Sequence, residues 1–239
     1  MRYAKRGPLR FTSHRDFARA FERALRRAGV PIAFSQGFTP HPKISYASAA
    51  PTGVASEAEY LEIGLREPVD PARLRGALDA ALSPGLDVLD AVVAQGGSLA
   101  DRIEASHWRI EMPQVEPAAL DRAVAAFTAA DEVLVERMTK QGRRTFDARA
   151  AVMRIDVAPP VATPSEAPDV PCAILELVVR QVIPSVRPDD VLSGLRVVAD
   201  LEPPVSPRVT RLAQGTLTAQ GAIVDPLDAD RDGASIGER

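Results

Sequence analysis

The chain has 239 residues, 46% of them hydrophobic, and a formal net charge of −3, enough for one large domain or two of about 100 to 120 residues with their own cores. Its start, Met1-Arg-Tyr-Ala-Lys-Arg-Gly, carries charge where a secretory leader needs an apolar run. No later stretch approaches the ~18 apolar residues of a membrane span, so a cytoplasmic chain with no membrane partner is expected. The one cysteine, Cys172, excludes an internal disulfide framework and any zinc or iron–sulfur site needing about three or four sulfur ligands from this chain, and its apolar surroundings make it a core residue.

Arg2 to Thr12 reads as a strand, and Ser13 followed by Asp16 as the N-cap of a helix beginning near His14. In that helix Phe17, Ala20, Phe21, Ala24, Leu25 and Ala28 recur at helical spacing. Arg15, Arg19, Arg23, Arg26 and Arg27 fall within about 120° of arc on the other side. Gly29 and Pro31 end it. Ile32 to Phe34, the irregular segment Ser35 to Lys43, a strand over Ile44 to Ala47 and another over Tyr60 to Leu65 follow. A helix over Asp70 to Leu82 and a strand over Leu86 to Val93 complete the order β-α-β-β-α-β.

Residues 95–104 read as a linker, and the order then repeats over 105–224. His107 to Met112, Glu132 to Thr139, Arg149 to Val157, Ala173 to Ile183 and Val209 to Leu217 read as strands. Pro117 to Ala130 and Pro188 to Leu201 read as helices. A basic turn, Lys140 to Arg144, and a proline-rich loop over 158–171 interrupt the second half, and 225–239 reads as an acidic disordered tail. The predicted fold class is α+β: two tandem ferredoxin-like halves, 1–94 and 105–224, with antiparallel sheets and helices on one face.

The weak net charge hides a local excess. Between Met1 and Ser48 lie Arg2, Lys5, Arg6, Arg10, Arg15, Arg19, Arg23, Arg26, Arg27 and Lys43, opposed only by Asp16 and Glu22, which suits an anionic partner. In Ser35-Gln-Gly-Phe-Thr-Pro-His-Pro-Lys-Ile-Ser-Tyr46, Pro40 and Pro42 stiffen the backbone around His41, so the imidazole is held with little ordering entropy left to lose. His14 sits where free helix N–H groups favour anions. If the chain is an enzyme, His14 and His41 are the candidate general acid and base, with Arg10 or Lys43 stabilising negative charge. His107, beside Trp108 in a strand, reads as structural. No phosphate-cradling glycine loop, nucleophile elbow, metalloprotease helix or calcium loop is present, and no metal site is expected.

The run Tyr3-Ala-Lys-Arg-Gly-Pro-Leu-Arg-Phe-Thr-Ser-His14, the helix Phe21-Glu-Arg-Ala-Leu-Arg-Arg-Ala-Gly-Val-Pro31 and the loop Ser35 to Lys43 resemble the bacterial DUF2344, or radical SAM-associated, family of unknown function. Pro51-Thr-Gly-Val54 and Glu59-Tyr-Leu61 extend the match. Arg10, His14, Asp16, Arg19, Gln36, His41 and Lys43 fit the family motif, whereas Arg15 stands where an apolar residue is common and Thr39 where asparagine is. The resemblance implies a radical SAM partner that would carry S-adenosylmethionine, a 4Fe–4S cluster and, in cobalamin-type members, cobalamin. This chain would hold no cofactor. The expected function is an accessory module that recruits or orients an anionic substrate, RNA, for that enzyme. Its binding residues would be Lys5, Arg10, His14, Asp16, Arg19, Arg26, Gln36, Phe38, His41, Lys43 and Tyr46. Two alternatives are a metal-independent endoribonuclease resembling CRISPR repeat-processing enzymes and a protein-docking structural subunit.

Overall fold

The computed structural model describes residues 1–139, 142–159 and 170–234. Among them the chain is a mixed α+β protein with five α-helices and mostly antiparallel strand pairing. It divides into two compact units. Met1–Ile103, Ala213–Thr218 and the segment from Val224 form the first, and Glu104–Leu212 with Ala219–Ile223 form the second. The division falls at the end of the expected linker, but the chain after residue 212 is shared between the units and does not stay with the second half up to residue 224.

In the first unit the elements run β1 (Arg2–Lys5), α1 (His14–Arg27), β2 (Ile44–Ala47), β3 (Ala55–Ile63), α2 (Pro71–Ala81) and β4 (Val88–Asp90), with strand order β4-β1-β3-β2. Ser13 seals the start of α1, accepting the Asp16 N–H at 3.2 Å and donating to its carboxylate at 2.6 Å. Gly29, at φ +64°, closes the other end, a conformation that glycine adopts without Cβ strain. The buried face of α1 is Phe17, Phe21, Ala24 and Leu25. Phe17 stacks on Tyr3 of β1 at 4.5 Å, and Leu61, Leu74, Leu78, Leu86 and Val88 complete that core. The expected long first strand is corrected. It ends at Lys5, because Gly7 turns at φ +52° and Pro8 has no N–H to give to a ladder, and Gly7–Phe11 coil into a 3₁₀ turn.

The second unit contains β5 (Ala105–Pro113), α3 (Pro117–Ala129), β6 (Leu134–Thr139), β7 (Gly142–Asp147), β8 (Val152–Ala158), β9 (Cys172–Arg180), α4 (Pro188–Ala199) and the first residues of β10 (Arg208–Leu217). Its sheet runs β10-β5-β9-β8, and β5 alternates so that Trp108, Ile110 and Met112 are buried. Helices α3 and α4 approach closely at Gly194, where an added Cβ would lie 2.8 Å from the Phe127 ring. β6 and β7 make a separate hairpin, paired from Leu134 with Asp147 to Thr139 with Gly142. The predicted basic turn is in part strand. Arg143 and Arg144 stand in β7, and Lys140 and Gln141 lie outside the described residues, as do 160–169 of the proline-rich loop. Cys172 opens β9 half-buried and is not a core residue.

After β10 the chain forms β11 (Ile223–Val224), and α5 (Asp228–Ala234) stands in the stretch 225–239 where the sequence predicts a disordered tail; residues 235–239 lie outside the described residues. The acidic residues that suggest a solvated tail find distant cations. Asp225 pairs with Arg2 at 2.8 Å and Asp230 with Arg102 at 2.8 Å. Gly215 of β10 lies so close to Val224 that a Cβ there would sit 1.9 Å from its carbonyl oxygen. Gly215→Ala is therefore expected to destabilise the fold by roughly 1–3 kcal/mol. Gly76→Ala, in α2 with nothing within 4 Å of an added Cβ, is expected to stabilise it by roughly 0.5–1 kcal/mol. Urea unfolding midpoints of the two variants check both signs.

Candidate functional site

The outward face of α1 carries Arg15, Arg19, Arg23 and Arg26. All are exposed, and none makes an ion pair or side-chain hydrogen bond among the described residues. With a rise of 1.5 Å per residue the four guanidinium groups are spread over about 16 Å of helix. The remaining cations of the basic segment are partly engaged. Arg2 is held by Asp225, Arg6 by Glu57 and Asp87, and Arg27 by the Ala81 carbonyl. Lys5, expected as an open binding residue, is 5% exposed and its ammonium lies 3.3 and 3.2 Å from the carbonyls of Ala50 and Pro51. The cations left open are Arg10, Arg15, Arg19, Arg23, Arg26 and Lys43. Arg10 lies over the Phe11 ring at 4.8 Å.

His14 begins α1, and its ring meets Tyr46 of β2 edge-on at 4.8 Å. Tyr46 also meets Phe17 edge-on at 5.9 Å, so its ring is packed and is not the open stacking surface that its place beside the loop suggests. Its hydroxyl is buried with no hydrogen-bond partner, and burial, helped by the charge of Glu22, pushes the phenol up to about 12. The loop from Ser35 to Lys43 is closed at its neck. The Ser35 N–H donates to the His41 carbonyl at 2.8 Å, the His41 N–H to the Ser35 hydroxyl at 3.0 Å and the Lys43 N–H to the Ala33 carbonyl at 2.8 Å. Gly37 at φ +130° makes the bend. From this frame Gln36, Phe38, His41 and Lys43 project into solvent. No hydrogen bond or ring contact joins His14 to His41, and Asp16 is occupied in capping.

Of the seven phenylalanines, Phe17, Phe21, Phe127 and Phe146 are buried, while Phe11, Phe34 and Phe38 are 59%, 49% and 110% exposed. All three exposed rings lie in the basic N-terminal segment. The exposure of Phe11 is not legible while Arg2 to Thr12 read as one strand; Gly7-Pro8 is the signal that ends that strand early. A cavity of about 390 Å³ in the first unit, lined by Ile63, Leu65, Val69, Leu74 and Leu227 with Glu62 and Asp230, has no signal in the sequence either. None of the predicted site residues lines it, and its walls come from stretches too far apart to read as one motif. In the second unit His107 and Arg109 share the carboxylate of Glu176. Among the described residues no group of three or more His, Cys, Asp or Glu could hold a metal ion. No helix among them is long and apolar enough to cross a membrane.

Residues 1–188 match the model of DUF2344, described as an uncharacterized protein conserved in bacteria. The chain belongs to this family. The matched span includes the arginine face of α1, the Ser35 to Lys43 loop and the sheet of the first unit up to β4. A comparison with curated proteins finds no match.

The Tyr46 phenol has an ordinary value of 10.0 and is raised on folding, so the stability it contributes is present below about pH 10 and is lost as pH rises through about 12. Alkaline unfolding followed by circular dichroism is expected to show a fall in stability across that window. Tyr46→Phe is expected to lessen the fall without destabilising the fold at neutral pH, since the lost hydroxyl has no partner. Part of the fall remains in the variant, because burial also raises the Tyr60 phenol.

Proposed function

We propose that this protein is an accessory RNA-binding module whose basic N-terminal unit recruits or orients an RNA substrate for a partner radical SAM modifying enzyme. The observation that carries the RNA part is the row of unpaired, exposed arginines on one face of α1, in the same unit as a closed loop bearing Lys43 and His41. Cations without internal partners keep their full attraction for phosphate, and releasing condensed counterions from a nucleic acid supplies the free energy of such contacts. The partner part rests on the resemblance of the N-terminal motifs to the radical SAM-associated family. One cysteine cannot ligate a cluster, so S-adenosylmethionine, its 4Fe–4S cluster and any cobalamin would belong to the partner. We read each unit as a ferredoxin-like βαββαβ fold. The strand orders β4-β1-β3-β2 and β10-β5-β9-β8 support this, with the β6–β7 hairpin as an insertion in the second unit.

RNA affinity is expected to fall with salt, log K declining by about 0.7 per log unit of salt for each phosphate contacted on a single strand. Arg19→Glu/Arg26→Glu is expected to weaken binding and flatten that slope, read by filter binding at several salt concentrations. Affinity and slope unchanged in the double variant would sink the RNA reading. Capture of the tagged chain from lysate with and without ribonuclease tests the partner. Recovery of a radical SAM protein supports the module reading, and its absence under both conditions counts against it. A partner that is recovered while no RNA binds under any condition indicates a protein-docking subunit.

A further inference from the structure

We propose that the RNA taken by this face is an unpaired strand, with Phe34 and Phe38 as its base-stacking platform. The proposal rests on the RNA-binding reading and names the class of substrate. Phe38 is fully exposed at the far end of the Ser35 to Lys43 loop and Phe34 half-exposed at its neck, bridged to Pro42. An apolar ring with no packing contact contributes nothing to the stability of the fold, so core formation does not account for Phe38. The remaining exposed phenylalanine, Phe11, lies in the same segment with the Arg10 guanidinium over its ring. Each aromatic side chain of the second unit lies against its core, Trp108 at 7% exposure and Phe127 and Phe146 at 0% and 9%. The chain has few aromatic residues, and all of its exposed phenylalanine lies in the basic N-terminal segment that also carries the open arginines of α1.

That combination separates single strands from duplexes. A duplex buries its base faces in its own stack and offers a protein its phosphates and groove edges, which arginines alone can meet. An unpaired strand exposes π-faces, and aromatic platforms beside a cationic groove take them with little regard to sequence. The loop is built to present such a platform at low entropic cost. Its neck is closed by the Ser35–His41 and Ala33–Lys43 hydrogen bonds, Pro40 and Pro42 fix their own φ angles, and only Gly37 occupies the left-handed region. Gln36 and His41, exposed on the same loop, supply amide and imidazole groups for base edges or sugar hydroxyls.

The test uses the full chain and a labelled RNA of about 12 nucleotides and mixed sequence, alone or annealed to its complement, with binding read by fluorescence anisotropy at several salt concentrations. The single strand is expected to bind at least about tenfold more tightly than the duplex. Phe34→Ala/Phe38→Ala is expected to lose roughly 5- to 150-fold on the single strand per stacked base, with the salt slope and the duplex affinity unchanged. Phe38→Trp is expected to keep wild-type affinity and to show an emission change with the single strand beyond that of Trp108 in the parent chain. Both substituted rings are solvent-exposed, so loss of binding would not stem from unfolding, and circular dichroism checks this. Equal affinity for the two RNA forms, or a double-alanine variant that binds like the parent, overturns the proposal. If Arg19→Glu/Arg26→Glu still abolishes binding in that case, the recruiting function stands without its single-strand preference; if neither RNA form binds the parent chain, both fall.

Discussion

The packing of Phe17 fixes most of what the first unit presents to solvent. Its ring stacks on Tyr3 of β1 at 4.5 Å, follows Phe21 at 5.8 Å and receives the edge of Tyr46 of β2 at 5.9 Å, so one residue ties the first helix to two strands. At about 100° per residue, a helix with Phe17 and Phe21 turned inward must turn residues 15, 19, 23 and 26 outward. The arginine face is thus the geometric complement of an aromatic core. Tyr46, held by the same cluster, places the His14 ring at the start of that face.

Charge in this protein is decided by neighbours rather than by count. Ten basic residues crowd the first 48 positions, yet Arg2, Arg6 and Arg27 are held by Asp225, Glu57, Asp87 and a backbone carbonyl, and Lys5 is buried. What remains is a narrower cationic stripe of known membership on α1, together with Arg10 and Lys43. The acidic C-terminal segment that makes the whole chain weakly negative is partly consumed in the same way, through Asp225 and Asp230. A net charge of −3 is therefore compatible with a surface that attracts anions, because screening over about 8 Å at physiological salt makes local groups matter more than the total.

The loop and the helix of the first unit offer different chemistry to solvent. The helix offers guanidinium groups, which bind phosphate strongly but read nothing along the chain of a nucleic acid. The loop offers rings, an amide and an imidazole on a closed hydrogen-bonded frame, the kinds of group that respond to bases. Membership of DUF2344 covers both features, since the matched residues 1–188 include them. The apolar cavity near Leu74 and Leu227 lies apart from either one and has no role in this reading.

Local pattern determined a good deal of this protein. The spacing of Phe17, Phe21, Ala24 and Leu25, the Ser13 cap and the Gly29 stop define α1 closely, and β2 is found at Ile44–Ala47 as predicted. These signals are legible because they depend on residues within a few positions of one another. The hairpin of β6 and β7 was only half legible, since four successive exposed residues in β7 give no alternation to read. Tertiary structure alone decided which cations of the first segment are free, that Tyr46 is packed instead of open, and that the acidic tail folds back as α5. Each of those outcomes depends on partners far away in sequence, 223 residues in the case of Arg2 and Asp225, and such distances carry no periodic signal for a sequence to display.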